Sequence, residues 1–276
     1  MRNRQQNLLL NLVIIFAAGI LLPSNLVLAS SIEKEELIRE LDLKENTEII
    51  QIKDHDVTGD GSKDRVFLTG VKQSSRFFDH LRVSIKQKET KEYTKASCQD
   101  FSGYEPQLQL KDFSGDQVAD IMIKAPTGGS GGIVNHLIVS FKDAQPEVIF
   151  DEEDNQGVAV TGQFLPGFRT RLEFKEIAKE VVFDLNFKKE RYIKDKIYNS
   201  EGQLVKRKLI RPDSYPFNNL TAIDLDQDGT YELKGYQKVV GAYGADMISR
   251  LESNWDYQDG EWRLIDLIYS SYTKLK

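Results

Sequence analysis

Three short stretches of this chain place oxygen-bearing side chains in one and the same register, so the backbone must bend in the same way three times. Asp56, Thr58, Asp60 and Asp64 set the register, Asp112, Ser114, Asp116 and Asp120 repeat it, and Asp224, Asp226, Asp228 and Glu232 repeat it again. Counted from the first acid, the oxygens fall at positions one, three, five and nine. Alternate residues of a tight turn aim their side chains at one point, and position seven (Ser62, Val118 and Thr230) adds a backbone carbonyl. That donor set suits a hard cation such as calcium, which takes roughly six to eight oxygens. In the last loop four carboxylates crowd into nine residues, where they repel one another unless a cation sits among them.

An EF-hand is excluded by one position. Its loop ends on a bidentate Glu at position twelve, whereas these stretches carry Phe67, Ile123 and Gly235 there. The residues that follow each stretch are short and β-rich rather than helix-periodic, so the spacing predicts loops between strands.

At this point the residues resemble a known family. Asp56-Val57-Thr58-Gly59-Asp60-Gly61-Ser62-Lys63-Asp64 and Asp224-Leu225-Asp226-Gln227-Asp228-Gly229-Thr230-Tyr231-Glu232 are similar to the calcium-binding loop of FG-GAP and VCBS-type repeats. Asp112-Phe113-Ser114-Gly115-Asp116-Gln117-Val118-Ala119-Asp120 is similar as well, with Gln117 where the family has glycine. The resemblance implies calcium as the bound ion, those oxygen-bearing side chains as its ligands, and repeated antiparallel sheets in which the metal is structural.

The N-terminus reads as an export signal. Arg2 and Arg4 precede an apolar run from Leu8 to Leu22, and Val27-Leu28-Ala29 fits a small-residue cleavage site. Cleavage after Ala29 leaves 247 residues; the alternative is an uncleaved anchor, since Leu8 to Ala29 is long enough to span a bilayer. Cys98 is the only cysteine, so no internal disulfide forms and the thiol is expected as a small buried residue. Without the two signal arginines the chain holds 35 basic against 43 acidic residues, a net of −8, which argues against general nucleic-acid binding.

The loop starts are separated by 56 and then 112 residues, one period and two. The sequence therefore predicts four units near residues 56–111, 112–167, 168–223 and 224–276, the third lacking its loop because Phe168-Arg169-Thr170-Arg171 carries no ligand acid. Alternation of Leu81, Val83 and Ile85, of Leu137, Val139 and Phe141, and of Val181, Phe183, Leu185 and Phe187 predicts half-buried strands. Asp259-Gly260 and Ser200-Glu201-Gly202-Gln203 predict hairpins. Ahead of the units, Ser30 with Glu33 reads as a capping box for a short helix with Leu37, Ile38 and Leu41 on one face, followed by a strand through Ile49, Ile50 and Ile52. The expected fold is all-β, with repeated antiparallel sheets in a small four-bladed propeller-like arrangement; an irregular sandwich or barrel is the alternative.

No catalytic residue is assigned. His55, His80 and His136 show no metal-ligand spacing, no Gly-x-Ser-x-Gly elbow occurs, and Gly128 to Gly132 lacks the Lys-Ser/Thr of a phosphate loop, which leaves a mobile hairpin tip as its reading. Asp151 to Asp154 reads as a solvated turn, and Trp255, Tyr257 and Trp262 as sheet core, with sugar stacking as the functional alternative. Lys188 to Arg211 holds nine basic residues against Glu190, Asp195 and Glu201. On paired strands they form a basic face for an anionic envelope polymer, a glycan or lipid headgroups, against the plainer reading of a solvated strand face. The composite expectation is an exported, calcium-stabilised β-repeat protein, a binding or structural module at the cell envelope or outside the cell, with no nucleic-acid partner and no membrane span after cleavage. The alternative is a secreted hydrolase on the same scaffold.

Overall fold

The computed structural model of the protein describes residues 24–96, 101–205 and 210–271, with side chains from residue 31. The apolar run of the expected signal, Cys98 and the Lys206-Arg207-Lys208 triplet lie outside the described residues.

Among the described residues all strand pairs are antiparallel, and the strands sort into three sheets. The first holds β1 (Thr47–His55), β2 (Asp64–Lys72), β3 (Phe77–Lys86) and β4 (Tyr93–Lys95) in that order, with β5 (Gly103–Tyr104) added to β3. The second is the meander β6 (Gln107–Lys111), β7 (Asp120–Pro126), β8 (Val134–Ser140) and β9 (Glu147–Phe150). The third contains β10 (Val160–Leu165), β11 (Arg169–Phe174), β12 (Lys179–Asp184), β13 (Asp213–Ser214), β14 (Asn219–Ile223), β15 (Glu232–Val240), β16 (Met247–Gln258) and β17 (Glu261–Ser271). The α-helices among the described residues are α1 (Ser24–Glu40) and α2 (Lys189–Lys194).

The all-β expectation holds, but the third unit is not a sheet of its own. One edge of β15 is shared: β14 pairs with Glu232 to Tyr236, and β13 with Val239 and Val240. Through β13 the β10–β12 meander joins the third sheet. The segment expected to be a degenerate loop, beginning at Phe168, is the end of the tight β10–β11 turn, with Gly167 and Phe168 both at positive φ, followed by the first residues of β11.

The middle sheet is apolar on both faces, which explains the uninterrupted run Ile121-Met122-Ile123. Ile121 and Ile123 pack with Val66, Leu68, Leu81, Val83 and Ile85 of the first sheet, while Met122 and Ile138 turn the other way, to Leu220 and Leu233 of the third. Successive residues of a strand face opposite ways, so a strand buried on both sides loses the polar alternation. Each fully buried Ile contributes about 1.5–3 kcal/mol, more than the surface ion pairs around it. Trp255, Tyr257 and Trp262 belong to the same core: Trp262 meets Phe113 and Phe150 edge-on and donates its indole N–H to the Ile149 carbonyl at 2.6 Å.

α1 covers the outer face of the first sheet, where Leu37 and Leu41 bury against Phe67. The described helix runs from Ser24, so Ser30 lies inside it rather than at an N-cap, and the expected cleavage point falls within helical residues. The stretch from Lys188 is a correction of another kind, for it forms a 3-10 turn and α2 rather than paired strands. Lys188 is paired with the buried carboxylate of Asp246, which also accepts from the Tyr192 hydroxyl at 2.7 Å and the Ala242 amide at 2.8 Å. Lys194, Lys196 and Arg211 remain exposed. The glycine-rich segment is the expected β7–β8 hairpin tip, held to the third sheet by Lys238, which donates to the Gly131 carbonyl at 3.0 Å.

His136 on β8 joins the second sheet to the third. Its Nδ1 lies 2.8 Å from Asn155 Oδ1, and its Nε2 accepts the Leu220 amide at 3.3 Å. Burial pushes its pKa down to about 4, assisted by Lys124 across the strand pair and opposed by the hydrogen bond to Asn155. The ordinary value lies near 6.5, so on acidification the unfolded chain takes the proton first. The stabilisation is complete above about 6.5 and declines as pH falls towards 4. The melting temperature, measured without divalent cations, is therefore expected to fall across that window, and to fall less steeply in His136→Gln.

Candidate metal-binding loops

The three acidic stretches occupy equivalent places, each joining the first strand of a meander to the second: β1 to β2, β6 to β7 and β14 to β15. Their internal hydrogen bonds repeat position by position. The first-position carboxylate accepts the amide of position six, Gly61 on Asp56, Gln117 on Asp112 and Gly229 on Asp224, at 2.9, 2.8 and 3.2 Å. The fifth-position carboxylate accepts the amide of position seven, Ser62 on Asp60, Val118 on Asp116 and Thr230 on Asp228, each at 2.7–2.9 Å. The ninth-position carboxylate reaches back to position two, where Asp64 accepts Val57, Asp120 accepts Phe113 and Glu232 accepts Leu225.

This scaffold uses one oxygen of each ninth-position aspartate and leaves the other over. Asp64 and Asp120 are fully buried, and Oδ1 of each has no hydrogen-bond partner. The same holds for Ser114 Oγ in the middle loop and Asp224 Oδ1 in the last. A buried polar atom without a partner costs roughly 1–3 kcal/mol, and these four oxygens, one in the first loop, two in the middle loop and one in the last, all lie at expected ligand positions. In the last loop, Asp224, Asp226 and Asp228 bring one carboxylate oxygen each within 4.8 Å of the others, which is close enough to share a divalent ion. Burial pushes the Asp120 carboxyl up to about 6, against the amides of Phe113 and Ser114 that hold it down.

Two of the expected ligands have other engagements. Asp116 forms an ion pair with Lys142 at 3.1 Å, and the Thr58 hydroxyl donates to Asp64 Oδ2 at 2.9 Å. At position seven (Ser62, Val118 and Thr230) only the carbonyl is an expected ligand, and the Ser62 hydroxyl donates to Glu89 at 3.0 Å instead. His55, at the end of β1, sets Nδ1 against the Asp56 carbonyl at 3.0 Å and is exposed.

The loops also touch one another, which spacing alone does not reveal. Positions four and six have positive φ in all three: Gly59 and Gly61, Gly115 and Gln117, Gln227 and Gly229. A Cβ on Gly59 would lie 2.8 Å from Val118 of the middle loop, and one on Gly115 would lie 3.4 Å from Thr230 of the last. Position seven of each following loop thus rests on position four of the one before it. The Tyr231 amide adds a hydrogen bond to the Asp112 carbonyl at 2.7 Å. Among the described residues no further acidic loop rests on the last one, and its position four carries Gln227. At position six the space is open, with nothing within 4 Å of a Cβ on Gly61 or Gly229, and Gln117 fits there at the cost of its positive φ alone.

Fold and site together define a β-sheet protein with three stacked acidic inter-strand loops, each built to leave carboxylate oxygens uncommitted. A family model for the YybI C-terminal domain matches residues 158–270, the span of the third sheet. The chain is 30% identical over 207 residues to the uncharacterized protein YybI of Bacillus subtilis (strain 168), covering 74% of this chain and 78% of that one. The chain belongs to the YybI family. No solved structure matches it.

The stacking generates a test. Gly59→Ala and Gly61→Ala both place a side chain at positive φ, at about 1 kcal/mol each, but only the former drives a methyl into Val118. Chemical denaturation is expected to rank Gly59→Ala as the less stable of the two, and equal midpoints would show that the loops do not bear on one another.

Proposed function

We propose that this is an exported protein whose three loops hold calcium, and that it serves as a binding or structural module at the cell envelope or outside the cell. The observation that carries the reading is the threefold repeat of one hydrogen-bonded scaffold with a carboxylate oxygen left over in each loop. Calcium suits the site better than magnesium, because the donors mix carboxylates, hydroxyls and carbonyls on a flexible turn, and calcium tolerates irregular geometry of that kind. Placed between adjacent sheets, the ions would act as clamps. A propeller-like arrangement is part of the proposal; the identical strand order of β1–β4, β6–β9 and β14–β17 and the stacking of their loops support it. Export rests on the basic start and apolar run of the first residues, with cleavage after Ala29. Contact with an anionic envelope polymer or glycan rests on the exposed cations between Lys189 and Arg211.

Calcium titration of the purified protein is expected to reveal two or three sites, with affinity falling from the last loop to the first to the middle one. The order follows carboxylate count and the competition of Lys142 for Asp116. Extracellular modules bind at about 0.1–1 mM, and at several times that concentration each site adds about 1 kcal/mol. Asp228→Ala should therefore lower the melting temperature in calcium more than Asp116→Ala. A melt that does not respond to chelation refutes the ion sites altogether.

For export, mass spectrometry of the secreted protein is expected to give an N-terminus at Ser30, within a residue or two. An intact Met1 end in the membrane fraction would establish the uncleaved anchor instead.

A further inference from the structure

The cations on the helix-covered face of the first sheet fall into two sets. Arg65 is paired with Glu33 and Asp54, and Lys86 with Glu36. Beyond the C-terminal end of α1 the pattern changes. Lys44 in the turn after the helix, Arg82 on β3 and Lys95 on β4 line one cavity of about 220 Å³ with His80, and Asp42 is the one carboxylate among the described lining. In a chain of net charge −6 that is a local excess of positive charge.

The cavity is built by several elements. Lys95 reaches over to donate to the Leu41 carbonyl at the end of α1. The Lys44 ammonium lies 2.8 Å from His80 Nε2, and since an ammonium has no lone pair, the imidazole nitrogen accepts. His80 is placed by an irregular backbone: the β2–β3 register slips between Thr69 and Val71, and His80 itself has φ +49. Bulges of this kind re-aim a side chain, and non-glycine residues at positive φ cluster where a site needs them. Arg82 is half-buried, and among the described residues no carboxylate pairs with its guanidinium.

We propose that this cavity is a binding site for a small phosphate-bearing molecule. A guanidinium offers a planar fork of donors that matches two oxygens of a tetrahedral anion. Ammonium groups from the α1–β1 turn and from β4 add charge at its sides, and the hydroxyls of Thr47 and Thr69 lie in the wall. Three cations from three separate elements are better balanced by a dianion than by a single carboxylate. The cavity is independent of the loops, because Thr47 faces Val71 at the far end of the β1–β2 hairpin from the first loop, on the order of 25 Å along the strands.

The test is isothermal titration of the full-length protein with inorganic phosphate and glycerol phosphate, in calcium-free buffer of fixed ionic strength, with acetate as the monoanion. Both phosphates are expected to bind, and acetate about tenfold more weakly or worse. Arg82→Gln and Lys44→Gln should each weaken phosphate binding about tenfold, while Arg65→Gln, which removes a cation already paired, should leave it unchanged. Lys44 sits in an exposed turn, so its variant decides the matter if Arg82→Gln fails to fold. Absence of binding by either phosphate, acetate binding as tightly as phosphate, or undiminished binding in the folded variants would overturn the proposal.

Discussion

Burial of both faces of the middle sheet is the constraint on which the rest of the structure rests. Ile121 and Ile123 require an apolar surface on one side, and Met122 and Ile138 require one on the other. Sheets packed face to face lie about 10 Å apart, so the turn between the first and second strands of each sheet is carried next to the corresponding turn of its neighbour. The acidic loops occupy those turns. Their mutual contacts, Val118 on Gly59, Thr230 on Gly115 and Tyr231 with Asp112, accompany the stacking of the hydrophobic faces, into which the loop residues Val57 and Phe113 are themselves buried.

The loops carry the opposite kind of energy. Tucking Asp64 and Asp120 beneath the turns removes two carboxylates from water, and amide hydrogen bonds to one oxygen of each offset only part of that cost. The raised pKa of Asp120 is the signature of the remainder. A cation would offset it at the point where the backbone leaves oxygens uncommitted, and would bind most tightly where carboxylates are densest, in the last loop. Hydrophobic stacking positions the acids, and a cation bound among them would act on the stack itself. The phosphate cavity stands apart from this, since it depends on the junction of α1 with the first sheet.

The matched family domain has a physical counterpart. Residues 158–270 coincide with the third sheet, which combines one loop-bearing meander, β14–β17, with the β10–β12 meander attached through β13. This sheet has a core of its own, in which Tyr192 and Tyr198 are buried among Phe164, Phe168 and Phe174, and the Lys188–Asp246–Tyr192 network fastens α2 to it. The double spacing between the second and third loops is therefore occupied by an insertion in the third sheet, and the loop-bearing meanders stay adjacent in space.

Much of this was legible in the residues alone. The register of the acids determined three equivalent inter-strand loops, because alternate residues of a turn converge whatever surrounds them, and alternating apolar residues determined β3, β8 and the part of β12 that holds Val181 and Phe183 for the same local reason, although β12 ends at Asp184, before Leu185 and Phe187. Asp259-Gly260 determined its hairpin, with both residues at positive φ. What the sequence could not decide is how strands far apart in the chain share edges. Whether β10–β12 form their own sheet or extend another turns on which edge of β15 is open, and the basic run from Lys188 looked like strand because charge carries no period. The role of position four was hidden too: Gly59 and Gly115 were visible as glycines, but their reason is the side chain of the next loop, 59 and 115 residues further along. Local geometry is written in neighbouring residues, whereas edge pairing and loop stacking are set by surfaces that exist only once the chain has closed on itself.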